Sequence, residues 1–372
     1  MNPHKRFIYN KILISPLDWG LGHATRVVPL INHFLSMGCQ VTIAASGHTK
    51  TLLRQEFPDL VFLHLPGYDI TYPEKGRYFF LKMLFQVPRI IKAIVREHFW
   101  LRRHFYLHRW DAVISDNRYG LFHRDCASVF ITHQINIRAE KGKMADRIIR
   151  RLNHRLIRNF THCWIPDDPT EENLSGELSH GCLPPNALFI GPLSRLKPLE
   201  ATAGRLLLIL ISGPEPQRTS FETLLQVQLK NHEGEVVVVR GLPGHHRLPD
   251  PSGQLTWINH LPATDLEGLI SRAGLVICRA GYSTIMDLAR TQKRAVLVPT
   301  PGQTEQLYLA GYLMERLWFP AFRQETFSLP EAIKTAEAFP YKNASISFNR
   351  HREVIRRFVS GETIPSSQNA EE

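Results

Sequence analysis

Cysteine is scarce in this chain of 372 residues, and the five present, Cys39, Cys126, Cys163, Cys182 and Cys278, are odd in number, widely spaced and without a CxxC pair. That excludes a disulfide scaffold and a zinc ribbon, and it suits a reducing compartment. Long apolar runs are missing too. Residues 206–211 form one of the longest, far short of the ~20 apolar residues that span a bilayer. Near the start only residues 12–14 are continuously apolar, against ~7 to 15 in a signal-peptide core, so the expected location is cytoplasmic. What remains excludes disorder, since hydrophobic residues make up 43% and charged residues 21%, the balance of a globular protein. The length allows two domains of ordinary size.

Acidic charge is the other deficit, and it is confined to one half. Residues 1–195 hold 26 Lys and Arg against 16 Asp and Glu, whereas residues 196–372 hold 19 against 18. A basic half suits nucleic acid, an anionic membrane surface or a phosphorylated substrate, and charge alone does not choose among them.

Strand-like runs at 11–15, 41–45, 61–65, 112–115 and 128–131 alternate with helical stretches, the first through 28–35. This alternation predicts a parallel sheet with crossover helices. Residues 194–204, with Pro198 and Gly204, read as a linker. The pattern restarts with strands at 206–211, 236–240, 276–278 and 295–299 and helices at 219–230, 264–273, 283–291 and 304–317, so the second half is doubly wound as well. Helical spacing of Ile346, Val354, Ile355 and Phe358 predicts a last helix over 344–358. The expected division is 1–193, a linker at 194–204, 205–340, a helix within 341–359, and a polar, disordered tail at 360–372.

Asp18, Trp19, Gly20, Leu21, Gly22 and His23 lie between the first strand and the first helix. Glycines there let the backbone approach a ligand, and free N–H groups favour an anion. Thr25 occupies the third glycine of a G-x-G-x-x-G fingerprint, so a dinucleotide site is not indicated, and an ordinary tight turn fits the same residues. In the second half Arg279, Ala280, Gly281, Tyr282, Ser283 and Thr284 follow a strand and open a helix, with Asp287 one turn on. Gly302, Gln303, Thr304, Glu305 and Gln306 do the same after the next strand. Residues 280–284 can offer backbone N–H groups and two hydroxyls to a phosphate, Asp287 can accept from ribose, and Glu305 with Gln306 can bond a sugar.

The G-x-G-H turn, the R-A-G-x-S-T run with an acidic residue three places later, and G-Q-x-E-Q together resemble the GT-B glycosyltransferases of family 28, the MurG-like enzymes that use UDP-N-acetylglucosamine. The WGLGHATR start and the SDNRYG segment look like those of an uncharacterised bacterial group within it. The resemblance runs through nearly the whole chain. It implies an α/β GT-B fold, with two doubly wound Rossmann-like domains facing a central cleft and a final helix crossing back to the first. The first domain would bind the acceptor and the second the nucleotide sugar. It implies Ser283 and Thr284 on the diphosphate, Asp287 on ribose, and Glu305 with Gln306 on the donor sugar. Arg279, Ala280, Gly281 and Gln303 would complete that site, Ser212 and Gly213 would stand in place of the family's glycine-rich loop, and Gly20, Gly22 and Arg26 would contact acceptor or phosphate. Two departures matter: Asp287 replaces the usual Glu, and residues 213–217 replace a flexible GGSxG loop, with Pro214 and Pro216 stiffening it and Glu215 adding negative charge near the diphosphate.

His23, at the mouth of the first sheet, is the expected general base, with Asp116 as its orienting partner or as the base itself. Packing or capping would account for the same histidine, and Ser115, Asp116, Asn117 is also an N-cap string. His104 and His108 lack a third ligand, His245 and His246 lie in a Gly/Pro loop, and no D-x-D triplet occurs. No metal or other cofactor is expected, the leaving diphosphate being met by helix N-termini with Arg218, Arg272 or Arg279. From Lys75 to Arg109 nine Lys or Arg interleave with apolar residues, among them Phe79, Phe80 and Phe85, and 147–158 is a second basic helix. Such segments suit anionic lipid headgroups, or else a core helix whose basic side chains reach past it to water. The former favours a lipid-phosphate acceptor. The reading is metal-independent, inverting transfer of a hexose or N-acetylhexosamine from a UDP-sugar to an acceptor hydroxyl. A UDP-sugar 2-epimerase of the same fold, and a non-catalytic protein binding a nucleotide sugar or RNA, are the alternatives. No RNA-binding signature is present, and nucleic acid is not an expected partner.

Overall fold

The computed structural model describes residues 8–68, 79–137, 142–199, 204–245, 248 and 254–362, with the backbone alone at 79–84 and 143. Strands β1 (Lys11–Pro16), β2 (Gln40–Ala45), β3 (Val61–His64), β4 (Ala112–Asp116), β5 (Ala127–Ile131), β6 (His162–Ile165) and β7 (Ala187–Phe189) form one parallel sheet, ordered β3-β2-β1-β4-β5-β6-β7. A second comprises β8 (Leu206–Leu210), β9 (Val236–Val239), β10 (Leu255–Ile258), β11 (Ala273–Cys278) and β12 (Ala295–Leu297), ordered β10-β9-β8-β11-β12. The strands read as continuous apolar runs because helices cover both faces. The helices are α1 (Leu21–Ser36), α2 (Gly47–Glu56), α3 (Phe79–His108), α4 (Lys143–Ile157), α5 (Gln217–Leu229), α6 (Ala263–Arg272), α7 (Tyr282–Thr291), α8 (Thr304–Glu315), α9 (Leu329–Ala338) and α10 (Arg350–Val359).

Each sheet reverses its strand order once, between β1 and β4 and between β8 and β11. Connections leave such a point in opposite directions, and the carboxyl ends of the strands open a crevice there. That geometry gathers the turn after β1 and the ends of β4 and β5 at one sheet edge. It gathers the turns after β8, β11 and β12 at the other.

Ile12, Ile14, Phe34 and Ile114 in the first half and Leu208, Val238, Ile277 and Val296 in the second are wholly buried, each contributing about 1.5 to 3 kcal/mol of apolar burial. The main apolar cluster runs from one half into the other through Leu193, Tyr282, Leu309 and Ile355. Helix α10 packs on α1, Phe358 meets Tyr9 at a tilt with ring centroids 4.8 Å apart, and Ile8 N–H donates to Val359 O at 2.9 Å. The last helix therefore returns to the first sheet's side.

That helix starts at Arg350 rather than at 344. Residues before it are held by other partners: Lys342 N–H donates to Leu317 O at 2.8 Å and Ser345 N–H to Glu172 Oε2 at 3.0 Å. Ile346 packs on the core from this non-helical segment, which mimics helical spacing. The sequence pattern also misses β6, β7, β10 and α9; strands of three or four residues such as Ala187–Phe189 are too short to show a period. Part of the linker (200–203), the start of the basic stretch (75–78), His246 and the tail beyond 362 lie outside the described residues.

Candidate functional site

Three helices begin at the facing sheet edges. Gly20, Gly281 and Gln303 precede α1, α7 and α8, and none of the three caps its helix with a side chain, the arrangement in which a helix N-terminus can receive an anion. Gly20 sits at φ +125°, which only glycine adopts without strain, and this turns the chain sharply from β1 into α1.

The turn brings His23 to Asp116. Nδ1 of His23 lies 3.2 Å from each Asp116 oxygen. Arg26, one turn further along α1, donates from Nε to Asp116 Oδ2 at 2.9 Å and from Nη2 to Oδ1. Parallel pairing of β1 with β4 sets Pro16 opposite Asp116, so residues 100 positions apart in sequence meet at one edge. Burial works against the Asp116 charge, but Arg26 and His23 outweigh it and hold the carboxyl down to about 2. Nδ1 of His23 also lies 2.9 Å from Arg26 Nη2, which only donates, so carboxylate and guanidinium compete for that nitrogen; with Nδ1–H on the carboxylate, Nε2 keeps a lone pair, and the side chain is 17% exposed.

The second half meets this group directly. Ser283 Oγ donates to Gly22 O at 2.8 Å, and Tyr282 Oη donates to Pro166 O at 2.8 Å. Glu305 accepts from His133 Nε2 at 2.7 Å and from Gln134 Nε2. Burial opposes the charge on Glu305, while His133, then His23 and Arg26, hold its pKa below the usual range. Asp287 accepts from Ser194 Oγ in the linker at 2.5 Å. Burial pushes that carboxyl up to about 6 despite nearby Arg195.

Several expected contacts are used elsewhere. Arg279 is wholly buried; it donates to Gln217 O at 2.9 Å and Val298 O at 3.2 Å and lies over the Phe221 ring. Its side chain thus braces the loops after β11 and β12 instead of facing a diphosphate. Arg272 pairs with Glu235 at the amino edge of its sheet, the end opposite the crevice. Arg218 is held by Glu222 at 2.5 Å and Glu215 at 2.6 Å, which also neutralises the negative charge that Glu215 brings to this loop. Gln306 accepts from Thr300 N–H at 2.9 Å and donates to Gln303, tying down its own turn. Ser212 and Gly213 close β8 beside Thr300, and Gly213 adopts φ +107°. Ala280, Gly281, Thr284 and Gln303 lie at the open ends of α7 and α8. The sequence reading misses His133 and Gln134. Their signal is positional: they follow an apolar strand whose neighbour ends in Asp116, so topology carries them to the same edge. Among the described residues no group of three or more His, Cys, Asp or Glu could hold a metal, and no helix is long and apolar enough to cross a membrane.

Residues 222–355 match the glycosyltransferase family 28 C-terminal domain. An uncharacterized glycosyltransferase of Methanosarcina acetivorans is 28% identical over 216 residues, 52% of this chain and 53% of that protein, so the match spans about half the length of this curated relative. Among solved structures, the spinosyn rhamnosyltransferase SpnG complexed with thymidine diphosphate is similar at a TM-score of 0.60 and 16% identity, over 94% of this chain and 95% of its own. SnogD, a glycosyltransferase from Streptomyces nogalater, is similar at 0.57 and 14% identity over 95% of each chain. MurG of Acinetobacter baumannii is similar at 0.50 and 15% identity, over 95% of this chain and 99% of its own. The chain has the GT-B fold of these glycosyltransferases, and part of its second half matches the family 28 C-terminal domain.

Proposed function

We propose that this protein transfers a sugar, a hexose or N-acetylhexosamine, from a UDP-sugar to an acceptor hydroxyl by inverting single displacement. The observation that carries the reading is the bond from Ser283 Oγ to Gly22 O, because it sets the uncapped start of α7 against the turn that holds His23. Nε2 of His23 takes the acceptor proton as that oxygen attacks the anomeric carbon. The bond to the diphosphate oxygen breaks on the opposite face, and its electron pair leaves with the diphosphate, which inverts the carbon. Ser283 turns from Gly22 O to the phosphate, and Thr284 with the N–H groups of α7 meets the developing charge. Asp116 stays ionised and steadies the imidazolium. Asp287 and Glu305 serve ribose and sugar, with the Ser194 hydroxyl shared or displaced. The residues named balance the charge without a metal, and activity is expected to persist in excess chelator.

A thermal-shift screen over nucleotide sugars tests the donor. A ligand at ~100 times its dissociation constant adds ~2.7 kcal/mol of stability, and UDP release from the stabilising sugar should follow. Stabilisation by no nucleotide sugar would reject the reading, and conversion of a UDP-sugar to its 2-epimer without acceptor would replace it with epimerisation.

One observation favours an acceptor held at an anionic lipid surface. Along α3 the face opposite the buried Ala93, Glu97 and Leu101 carries Val87, Ile91, Val95 and Phe99 at 41 to 63% exposure, with Arg89, Lys92 and Arg103 also exposed. Met144, Ile148 and Leu152 repeat the pattern on α4 at 51 to 66%. Apolar stripes bordered by cations fit rings and chains inserted among headgroups with charge at the phosphates.

A further inference from the structure

His133 belongs to none of the motifs, yet the two halves of the molecule meet on it. It is 4% exposed, and its ring lies flat on Tyr282, centroids 4.1 Å apart and planes 7° from parallel. A guanidinium only donates, so Arg26 Nη1 at 3.1 Å makes Nδ1 the acceptor. The proton then sits on Nε2, which donates to Glu305 Oε1 at 2.7 Å. Both ring nitrogens are used and the tautomer is set by protein partners. Arg26 grips Asp116 through its other nitrogens, and Asp116 is the partner of His23. On one side the imidazole touches the guanidinium that shapes the base pair. On the other it touches the carboxylate facing the sugar.

We propose that His133 is a positioning residue that orients Arg26 for the His23–Asp116 pair through Nδ1 and Glu305 for the donor sugar through Nε2–H, so that one side chain sets base and sugar contact together. The inference rests on the reading of the second half as the donor site. Its two roles separate by chemistry. Asn places an acceptor oxygen near the Nδ1 position and nothing at Nε2. Gln reaches the Nε2 position with an amide N–H and leaves Arg26 without its acceptor. Phe keeps the stack on Tyr282 and loses both bonds.

Calorimetry with UDP, UDP-glucose and UDP-N-acetylglucosamine, together with the rate of UDP release to water, tests this on the full chain. His133→Phe should weaken the UDP-sugar tenfold or more, as expected for a lost bond to a charged group, leave UDP alone unchanged, and slow UDP release tenfold or more. His133→Gln should recover UDP-sugar affinity but not the rate, and His133→Asn the rate but not the affinity. Parallel loss of melting temperature, UDP affinity and rate in all three variants would make His133 a structural residue and overturn the proposal. So would three variants that bind and turn over like a wild type that binds a UDP-sugar, and the donor reading would then stand. A wild type that binds none of the three probes overturns the donor reading and this proposal with it.

Discussion

At the scale of single residues, Asp116 is the pivot of the first-half site. It is buried yet ionised because Arg26 supplies positive charge at contact distance and His23 shares its oxygens. Burial alone would drive a carboxyl the other way, as it does at Asp287, where the carboxyl reaches about 6. The contrast gives Asp116 a fixed negative charge, and in the proposed mechanism proton transfer falls to His23. His23→Ala should lower kcat by ~100 to 10,000-fold, the usual worth of a positioned proton acceptor, with donor affinity nearly unchanged. His23→Asn should be as slow. Asp116→Asn should be impaired as well, and the double variant little worse than either single one, because residues acting as a unit are not additive. Full activity in His23→Ala would end its assignment as base, and equal loss of rate and donor affinity would make its turn a phosphate cradle.

Among elements, α3 is the least conventional. Its buried face holds Glu97, which accepts from Tyr68 Oη at 2.9 Å, Arg118 Nη1 at 2.8 Å and Gly120 N–H at 3.1 Å, so the helix is anchored by a buried polar knot as well as by apolar contact. Gly120 sits so close that a Cβ there would lie 2.2 Å from Ile94 O. With that inner face fixed, the outer stripe has no structural task in the isolated chain, and replacing it should not unfold the protein. Ser at Phe85, Ile91 and Phe99 should release the protein from vesicles rich in anionic lipid while moving the melting temperature little. Retained cosedimentation would place any membrane contact elsewhere, and a collapsed melting temperature would make these side chains part of the core.

For the molecule as a whole, burial favours the neutral form of histidines on α1, on α10 and beside Glu305. Burial, with His33, Arg352 and Arg290 nearby, lowers His351 on α10 to about 4, and burial lowers His33 and His133 as well. An unfolded imidazole titrates near 6.5, so between those values the unfolded chain binds more protons. This stability is fully present above about pH 6.5 and is lost as pH falls toward 4; His351 alone accounts for about 2 kcal/mol between pH 6.5 and 5. Asp287 acts in the opposite sense, gaining its proton below about 6 when folded. Melting curves across pH 7 to 5 should therefore slope downward on acidification, and His351→Gln should flatten the slope. An unchanged slope would show that α10 docking does not depend on His351 staying neutral.

Most strands and helices were legible in the chain because parallel strands buried on both faces read as apolar runs, with α1, α7 and α8 each announced by a turn. So were the positions of His23, Ser283, Glu305 and Asp287 within the helices that open at those turns, since a strand-to-helix turn falls at the carboxyl edge of a parallel sheet whatever the rest does. The start of α10 was not, because Ile346 meets the core from a non-helical segment at a spacing that a helix would also give. Nor were the duties of Arg279 and Gln306, whose residue types suit a phosphate and a sugar but whose side chains hold loops. The Arg26–His133–Glu305 chain was invisible for a general reason. Hydrogen-bond partners 107 and 172 positions apart are chosen by which strand ends share a sheet edge and by how the two halves close. Local sequence determines the elements and the chemistry they can offer, and only the tertiary structure decides which of those groups meet.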